Sequence, residues 1–468
     1  MIPEFAVLGH PNEGKSSVVS TLTEDDQIKV SRIPGETTVA RQYTVAIDGD
    51  RLIRFVDTPG FQVPQQTLAW FQAYEGPPEQ VTRCFIDAHK EDPFYADECE
   101  LLHPLVRGAG IIYVVDGSRP VRPDDLAEME ILRLTGRPRM AVINSKTDEK
   151  DYTDAWRMEF RKHFNAIRIF NSNTANFMDR IRMLESLKSI DQEWEESLTR
   201  VIQAFKDDWR KRNRMAGAVI MKSISAALSY SVKQQLLPGA DSDALKKDLT
   251  LQYQDHIKKI EQTMFKKIRL LFKHRLYELT LPDHSVLKYD LFSRQTWELL
   301  GLTKEQLAAA GAIIGGTMGA VLDTAAAGIT FGVFTAIGGI LGAGSAVFGS
   351  KKIAEKKPKG FRLGGDTIRL GPSKNLQFLY VMLDRALIYY SHIINRPHGK
   401  RDAITGDLPQ DDGKRGVTSG LSRTQRAVCA RYFKALTGRA LFKEQKSIQA
   451  FEALMESILE KISGMQTN

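Results

Sequence analysis

The sequence predicts a doubly wound α/β domain with a mostly parallel sheet, followed by a mainly α-helical region that contains a glycine-rich apolar hairpin. Three observations carry this. Residues 9–16 read GHPNEGKS directly after the apolar run 5–8. Up to about residue 187, short apolar runs alternate with helical stretches, as strands and crossover helices do. Beyond residue 189 the chain becomes helical and charged, until residues 307–349 run on with Asp323 as their single charge.

The first motif has the spacing GxxxxGK(S/T), which fits one physical task. Glycines at both ends let the backbone fold into a nest of N–H donors around a phosphate, and the helix expected at 17–22 adds its dipole. Asn12, Glu13, Gly14, Lys15, Ser16 and Ser17 are therefore candidate nucleotide contacts. Lys15 is placed to reach the β/γ oxygens, and the Ser16 hydroxyl to ligate Mg²⁺.

Which nucleotide is read further on. DTPG at 57–60 ends the β-rich run 51–56, where the second metal-side carboxylate of such a site belongs. Asp57 would hold the Mg²⁺ shell and the Gly60 N–H would meet the γ-phosphate. The apolar run 140–144 then leads into SKTD at 145–148. A carboxylate at Asp148 can accept from guanine N1–H and the exocyclic amine, with Lys146 lying along the base. Adenine presents an acceptor at N1 and would leave that carboxylate unpaired, at a cost of about 1–3 kcal/mol. The base is guanine, so GTP and GDP are the expected ligands.

GHPNEGKS, PGETT at 34–38, DTPG and SKTD, in this order, resemble the Era/TrmE/EngA branch of translation-factor-related GTPases, whose loop usually reads GxPNxGKS. The resemblance covers the first domain and implies Mg²⁺-dependent hydrolysis of GTP, with Lys15, Thr38 and Gly60 at the γ-phosphate. It also implies a metal set of Ser16, Thr38 and Asp57. Thr37 competes with Thr38 for the metal-binding place, Thr38 being favoured. Ser145 replaces the usual Asn or Thr of the guanine motif. The last guanine-contacting loop is represented by residues 171–173, with Ser172 its contact. The water-orienting Gln of Ras-like proteins is replaced by Phe61, whose ring cannot hydrogen-bond water, so slow turnover is expected. Relatives that carry Asn in the loop use it to hold K⁺, and Asn12 stands there; a structural Asn12 tying the loop to residues 34–38 is the other reading. The C-terminal half resembles an uncharacterised domain that accompanies Era-like G domains in bacteria.

The remaining elements follow in order. Residues 111–115 form a buried parallel strand whose exit, Asp116, is a turn or capping residue. The stretch between Gly60 and that strand, with Trp70, Phe71, Tyr74 and charged residues 87–100, is long; it is either an elaborated surface or a partner-sensing insertion. Helices are expected at 193–215 and 243–279, the second containing the basic amphipathic segment 256–279. In residues 307–349 glycines recur at four-residue spacing (Gly311, Gly315, Gly319), a smooth ridge for close helix packing, and residues 324–349 are long enough to cross a bilayer. The lysines at 351–359 follow as at a cytoplasmic membrane face. The alternative is a packed hairpin within a domain or an oligomer. Residues 361–373 read as a hairpin, 375–394 as an amphipathic helix, 395–422 as a flexible loop and 426–462 as helix. The expected domains are 1–187, 188–303, 304–352 and 353–468.

The chain is basic, with 65 Lys and Arg against 57 Asp and Glu, which favours anionic partners, whether nucleic acid or phospholipid. Three scattered cysteines suit a reducing compartment and no disulfide scaffold. The first strand begins at once, leaving no room for a signal peptide, so a cytoplasmic location is expected, at the membrane face if 307–349 inserts. Two functions remain: a GTP-controlled switch at the membrane, through a lipid surface or membrane-protein partner, and a ribosome- or RNA-linked GTPase whose hairpin is core.

Overall fold

The computed structural model describes residues 2–24, 39–144, 152–172, 174–236, 241–273, 281, 285–313, 346–348, 367–395, 416–437 and 444–464. The chain divides into two compact units. One comprises Met1–Lys211, Lys273–Glu278 and Ile394–Asp402; the other comprises Arg212–Phe272, Leu279–Ile393 and Ala403–Asn468.

The first unit is the expected doubly wound domain. Its strands are β1 (Glu4–Leu8), β2 (Arg41–Ile47), β3 (Asp50–Asp57), β4 (Gly110–Asp116), β5 (Arg139–Asn144) and β6 (Ala166–Ile169), in the order β2-β3-β1-β4-β5-β6. All neighbours are parallel except β2 and β3, which form an antiparallel hairpin on the edge. Asp48 and Gly49 turn that hairpin, both with positive φ, as a tight two-residue turn between right-twisted strands demands. β1, β4 and β5 are covered on both faces, which is why they read as unbroken apolar runs rather than as alternation.

The long stretch after Gly60 is part of the domain core. Its helices span Pro64–Ala73, Val81–His89 and Ala96–Val106. Phe61, Phe71, Phe85, Leu101, Leu102 and Leu105 are buried in one cluster with Tyr113 of β4 and Trp156. Trp70 packs edge-on against Phe85 and stacks with Tyr74. Trp70, Phe71 and Tyr74 are thus engaged in packing within the domain.

In the second unit the helix Leu376–Ile394 differs from expectation. It is buried almost all round rather than amphipathic. Its two adjacent charges are paired within the unit. The Arg385 guanidinium forks onto Glu261 at 2.6 and 3.0 Å and also donates to the Tyr289 carbonyl at 3.0 Å. Asp384 accepts from the Gly301 and Thr418 amides at 2.6 and 2.7 Å and from the Thr418 hydroxyl at 2.8 Å.

That last contact corrects the flexible-loop reading of 395–422 at its C-terminal end. Thr418 and Ser419 are buried in a short turn, Thr418–Gly420, anchored to Asp384; residues 396–415 lie outside the described ones. The hairpin reading of 361–373 is corrected as well. β9 (Thr367–Leu370) lies between β7 (Val232–Gln235) and β8 (Ala346–Phe348), antiparallel to both, so its partners are distant in sequence. β8 also ends the helical reading of 307–349 short: the β-branched and aromatic pair Val347–Phe348 takes a ladder to β9. Of that segment the described helix Lys304–Ile313 covers the start, and residues 314–345, with most of the glycine ridge, lie outside the described residues. Further helices are Glu195–Ser229, longer than its pattern indicated, Ser242–Leu271, Arg294–Leu299, Arg423–Thr437 and Glu444–Ile462. Among the described residues no helix is long and apolar enough to cross a membrane.

Candidate functional site

The loop 9–16 leaves β1 and enters the helix Lys15–Thr23. Gly9, Asn12 and Gly14 have φ of 138°, 70° and 93°, so the loop reverses direction through left-handed positions. A Cβ on Gly9 would also collide with the Val114 carbonyl of β4, which makes glycine obligatory there. Asn12 stands exposed at the tip, while Ser17 is buried in the first helical turn. Lys15 folds back across the loop, its ammonium donating to the Gly9 and His10 carbonyls at 3.0 Å each. That is where a phosphate-binding lysine must sit for its charge to face the loop's interior.

DTPG closes the other side. Ser16 Oγ donates to Asp57 Oδ2 at 2.6 Å. Asp57 is 3% exposed, and its Oδ1 is buried with no hydrogen-bond partner among the described residues. Burial pushes its carboxyl above the usual range, against the Ser16 hydrogen bond and the charges of Lys15 and Arg41. A hydroxyl and a buried carboxylate brought together, with one carboxylate oxygen lacking a donor, form a hard-oxygen set that fits Mg²⁺. Thr58 Oγ1 donates to the Val7 carbonyl at 2.8 Å, pinning DTPG to β1, and Gly60 lies so close to Pro11 that a side chain there would strike the proline. Phe61, in the position of the water-orienting Gln, is fully buried and takes no part in the site.

Glu13 points away from the phosphate side. Its carboxylate accepts from the Asp116 amide and from Arg119 Nε, the latter at 2.7 Å. Arg119 in turn forks onto Asp125 at 2.7 Å through both terminal nitrogens and lies 5.1 Å from the Trp156 ring centroid. Burial opposes the Arg119 charge, but Asp125 and Glu13 hold its pKa above the ordinary value. Asp116 forms the expected turn, accepting from Ser118 N and Oγ. Beside it, His10 Nδ1 lies 3.0 Å from the fully buried Glu128, whose other oxygen accepts from Tyr113 at 2.8 Å. The Glu128 hydrogen bond raises the His10 pKa, and burial raises that of Glu128.

Asn144, the last residue of β5, joins three loops. Its Nδ2 donates to the Glu13 carbonyl at 3.0 Å, and its Oδ1 accepts from Ser172 N and Oγ at 3.2 and 3.1 Å. Ser172 is thus brought to the phosphate loop, its carbonyl also accepting from Thr21 Oγ1 at 3.3 Å. Thr37, Thr38, Ser145, Lys146 and Asp148 lie outside the described residues. The sequence offered one signal for Asn144, a polar residue ending an apolar strand. Arg119, Asp125 and Glu128 carry no sequence signal that singles them out.

Residues 4–145 match the family model described as 50S ribosome-binding GTPase, and residues 157–460, more than half of the chain, match the domain of unknown function DUF3482. GTPase Der of Burkholderia ambifaria is 31% identical over 153 residues, 33% of this chain and 28% of the relative. The probable GTP-binding protein EngB of Acidobacterium capsulatum is 31% identical over 149 residues, 31% of this chain and 61% of the relative. The chain therefore spans under a third of Der and about three fifths of EngB. Among solved structures, an Aquifex aeolicus Era variant bound to GDP·AlF4⁻ has a TM-score of 0.28 at 16% identity, covering 58% of this chain and 89% of that one. NFeoB of S. thermophilus bound to GDP·AlF4⁻ and K⁺ has a TM-score of 0.24 at 14% identity, covering 58% of this chain and 90% of that one. The chain belongs to the DUF3482 family, carrying that domain behind an N-terminal P-loop GTPase domain.

Proposed function

We propose that the chain is a GTP-controlled switch that hydrolyses GTP slowly with Mg²⁺ and acts at a membrane through its C-terminal half. The observation that carries the nucleotide part is the Ser16–Asp57 pair beneath a loop whose lysine is already folded across it. Lys15 holds the β/γ oxygens, Ser16 and Asp57 hold the metal, and Gly60, packed on Pro11, offers its N–H to the γ-phosphate. Bound Mg²⁺ would neutralise charge on the β/γ oxygens. Thr38 completes the metal shell from the segment before β2, and Asp148, with Ser145 and Lys146, reads guanine. Phe61 leaves the attacking water without a side-chain partner, which supports slow turnover. Asn12, exposed at the loop tip, suits a K⁺ ligand; hydrolysis faster in K⁺ than in Na⁺, with the difference erased by Asn12→Ala, tests that role.

Membrane action is supported by the apolar composition of residues 307–349 and the lysines that follow them. The ribosome-linked alternative is favoured by the description of the family model matched at residues 4–145. Cell fractionation with a high-salt wash separates the two: retention in the membrane pellet supports the first, and release into the cytosol with co-sedimentation on ribosomes overturns it.

A further inference from the structure

Gln62 and Val63, just after Gly60, are held from outside their own segment. The helix Pro64–Ala73 starts at Val63 without a side-chain cap of its own, and the two amides just ahead of it find their acceptor elsewhere. Glu98, on the helix Ala96–Val106, supplies it: Oε1 accepts from both Gln62 N and Val63 N, each at 2.7 Å. The side chain is fully buried, and its Oε2 has no hydrogen-bond partner among the described residues. A carboxylate placed at a helix start is favoured by the dipole as well as by the two bonds. Two residues along the same helix, Glu100 Oε2 accepts from Ala40 N at 3.3 Å, just after residues 34–38. One helix therefore braces the two segments expected to meet the γ-phosphate, one leading to β2 and one leaving β3.

We propose that Glu98 is a positioning residue for GTP hydrolysis, fixing the backbone between Gly60 and the helix Pro64–Ala73 so that the Gly60 amide is held at the γ-phosphate, with Glu100 bracing the facing segment. This rests on the GTPase reading above. Phe61 is anchored in the core on one side of this short span and Glu98 holds the other, so the span has no slack. Removing the carboxylate takes the acceptor away from the Gln62 and Val63 amides and frees the chain one residue beyond Phe61. The γ-phosphate contact suffers, whereas GDP, which lacks that phosphate, does not sense it.

The test compares Glu98→Ala, Glu98→Asp and Glu98→Gln with the wild type in full-length protein. Mant-GDP and mant-GMPPNP affinities and single-turnover hydrolysis are measured. Glu98→Ala should lower the hydrolysis rate by about tenfold or more and reduce the triphosphate-over-diphosphate preference, with GDP affinity unchanged. Glu98→Gln, whose amide oxygen can accept both bonds, should recover most of the rate. Glu98→Asp, one methylene too short, should behave like the alanine variant and serves in its place if that variant does not fold. Glu100→Ala should give a smaller loss of the same kind. Variants with wild-type rate and preference, or a parallel fall in GDP and triphosphate affinity, would overturn the positioning role. A wild type that binds neither nucleotide would overturn the GTPase reading instead.

Discussion

Ser16 and Asp57, 41 positions apart in sequence, face each other at 2.6 Å, hydroxyl to carboxylate. Replacing either removes one oxygen of the proposed metal set without touching the loop backbone. Ser16→Ala and Asp57→Ala should each lower Mg²⁺-dependent phosphate release by roughly a hundredfold, and Lys15→Ala should do the same through loss of a charge-assisted phosphate contact. Normal turnover in the Lys15 variant would count against the phosphate-loop assignment.

Guanine specificity is assigned to Asp148. Asp148→Asn replaces an acceptor by a mixed donor and acceptor, and should weaken GTP while favouring xanthosine triphosphate. A competition assay reads this directly, and equal wild-type affinity for ATP and GTP would refute the assignment.

Asn144 is fully buried and bonded at both ends of its amide. Asn144→Ala should orphan the Glu13 carbonyl and the Ser172 amide, costing about 1–3 kcal/mol. Thermal unfolding should show the loss, and GDP should dissociate faster because the loops around the base and phosphates are no longer tied. Unchanged dissociation in a destabilised variant would confine Asn144 to folding.

In the C-terminal unit, Arg385→Met alone leaves Glu261 buried without its partner and should cost about 3–5 kcal/mol in denaturant unfolding. The double change Arg385→Met with Glu261→Leu removes both charges and should recover much of that stability. A double variant as unstable as the single would mean that the carbonyl contacts of Arg385, not the ion pair, hold this site.

The meeting of the phosphate loop with Asp57 was legible because both sit in short contiguous strings, and the strands around them were legible because burial on both faces leaves unbroken apolar runs. Asp116 shows the limit of local reading at its best: a carboxylate after an apolar strand, correctly read as a turn. The C-terminal unit was read less well for a physical reason. β9 pairs with two strands that both precede it, one about 20 positions back and the other more than 130 positions back, and no local pattern announces such partners. The helix Leu376–Ile394 reads as amphipathic, yet its charges lie inside the fold, Arg385 paired with Glu261 and Asp384 accepting from the Gly301 and Thr418 amides. The role of the Glu13 side chain is invisible in the sequence, because its partner Arg119 lies more than 100 positions away.

The contacts made by Glu13, His10 and Lys15 have a consequence for how fast the nucleotide comes and goes. Each holds the loop through a protein partner: Arg119, Glu128, and the Gly9 and His10 carbonyls. The loop is thus ordered when the domain folds rather than when a ligand arrives, and association need not wait for it to take shape. Exchange should then be limited by breaking the contacts to a departing nucleotide, so that effectors of exchange would act on the dissociation rate and leave the association rate nearly constant.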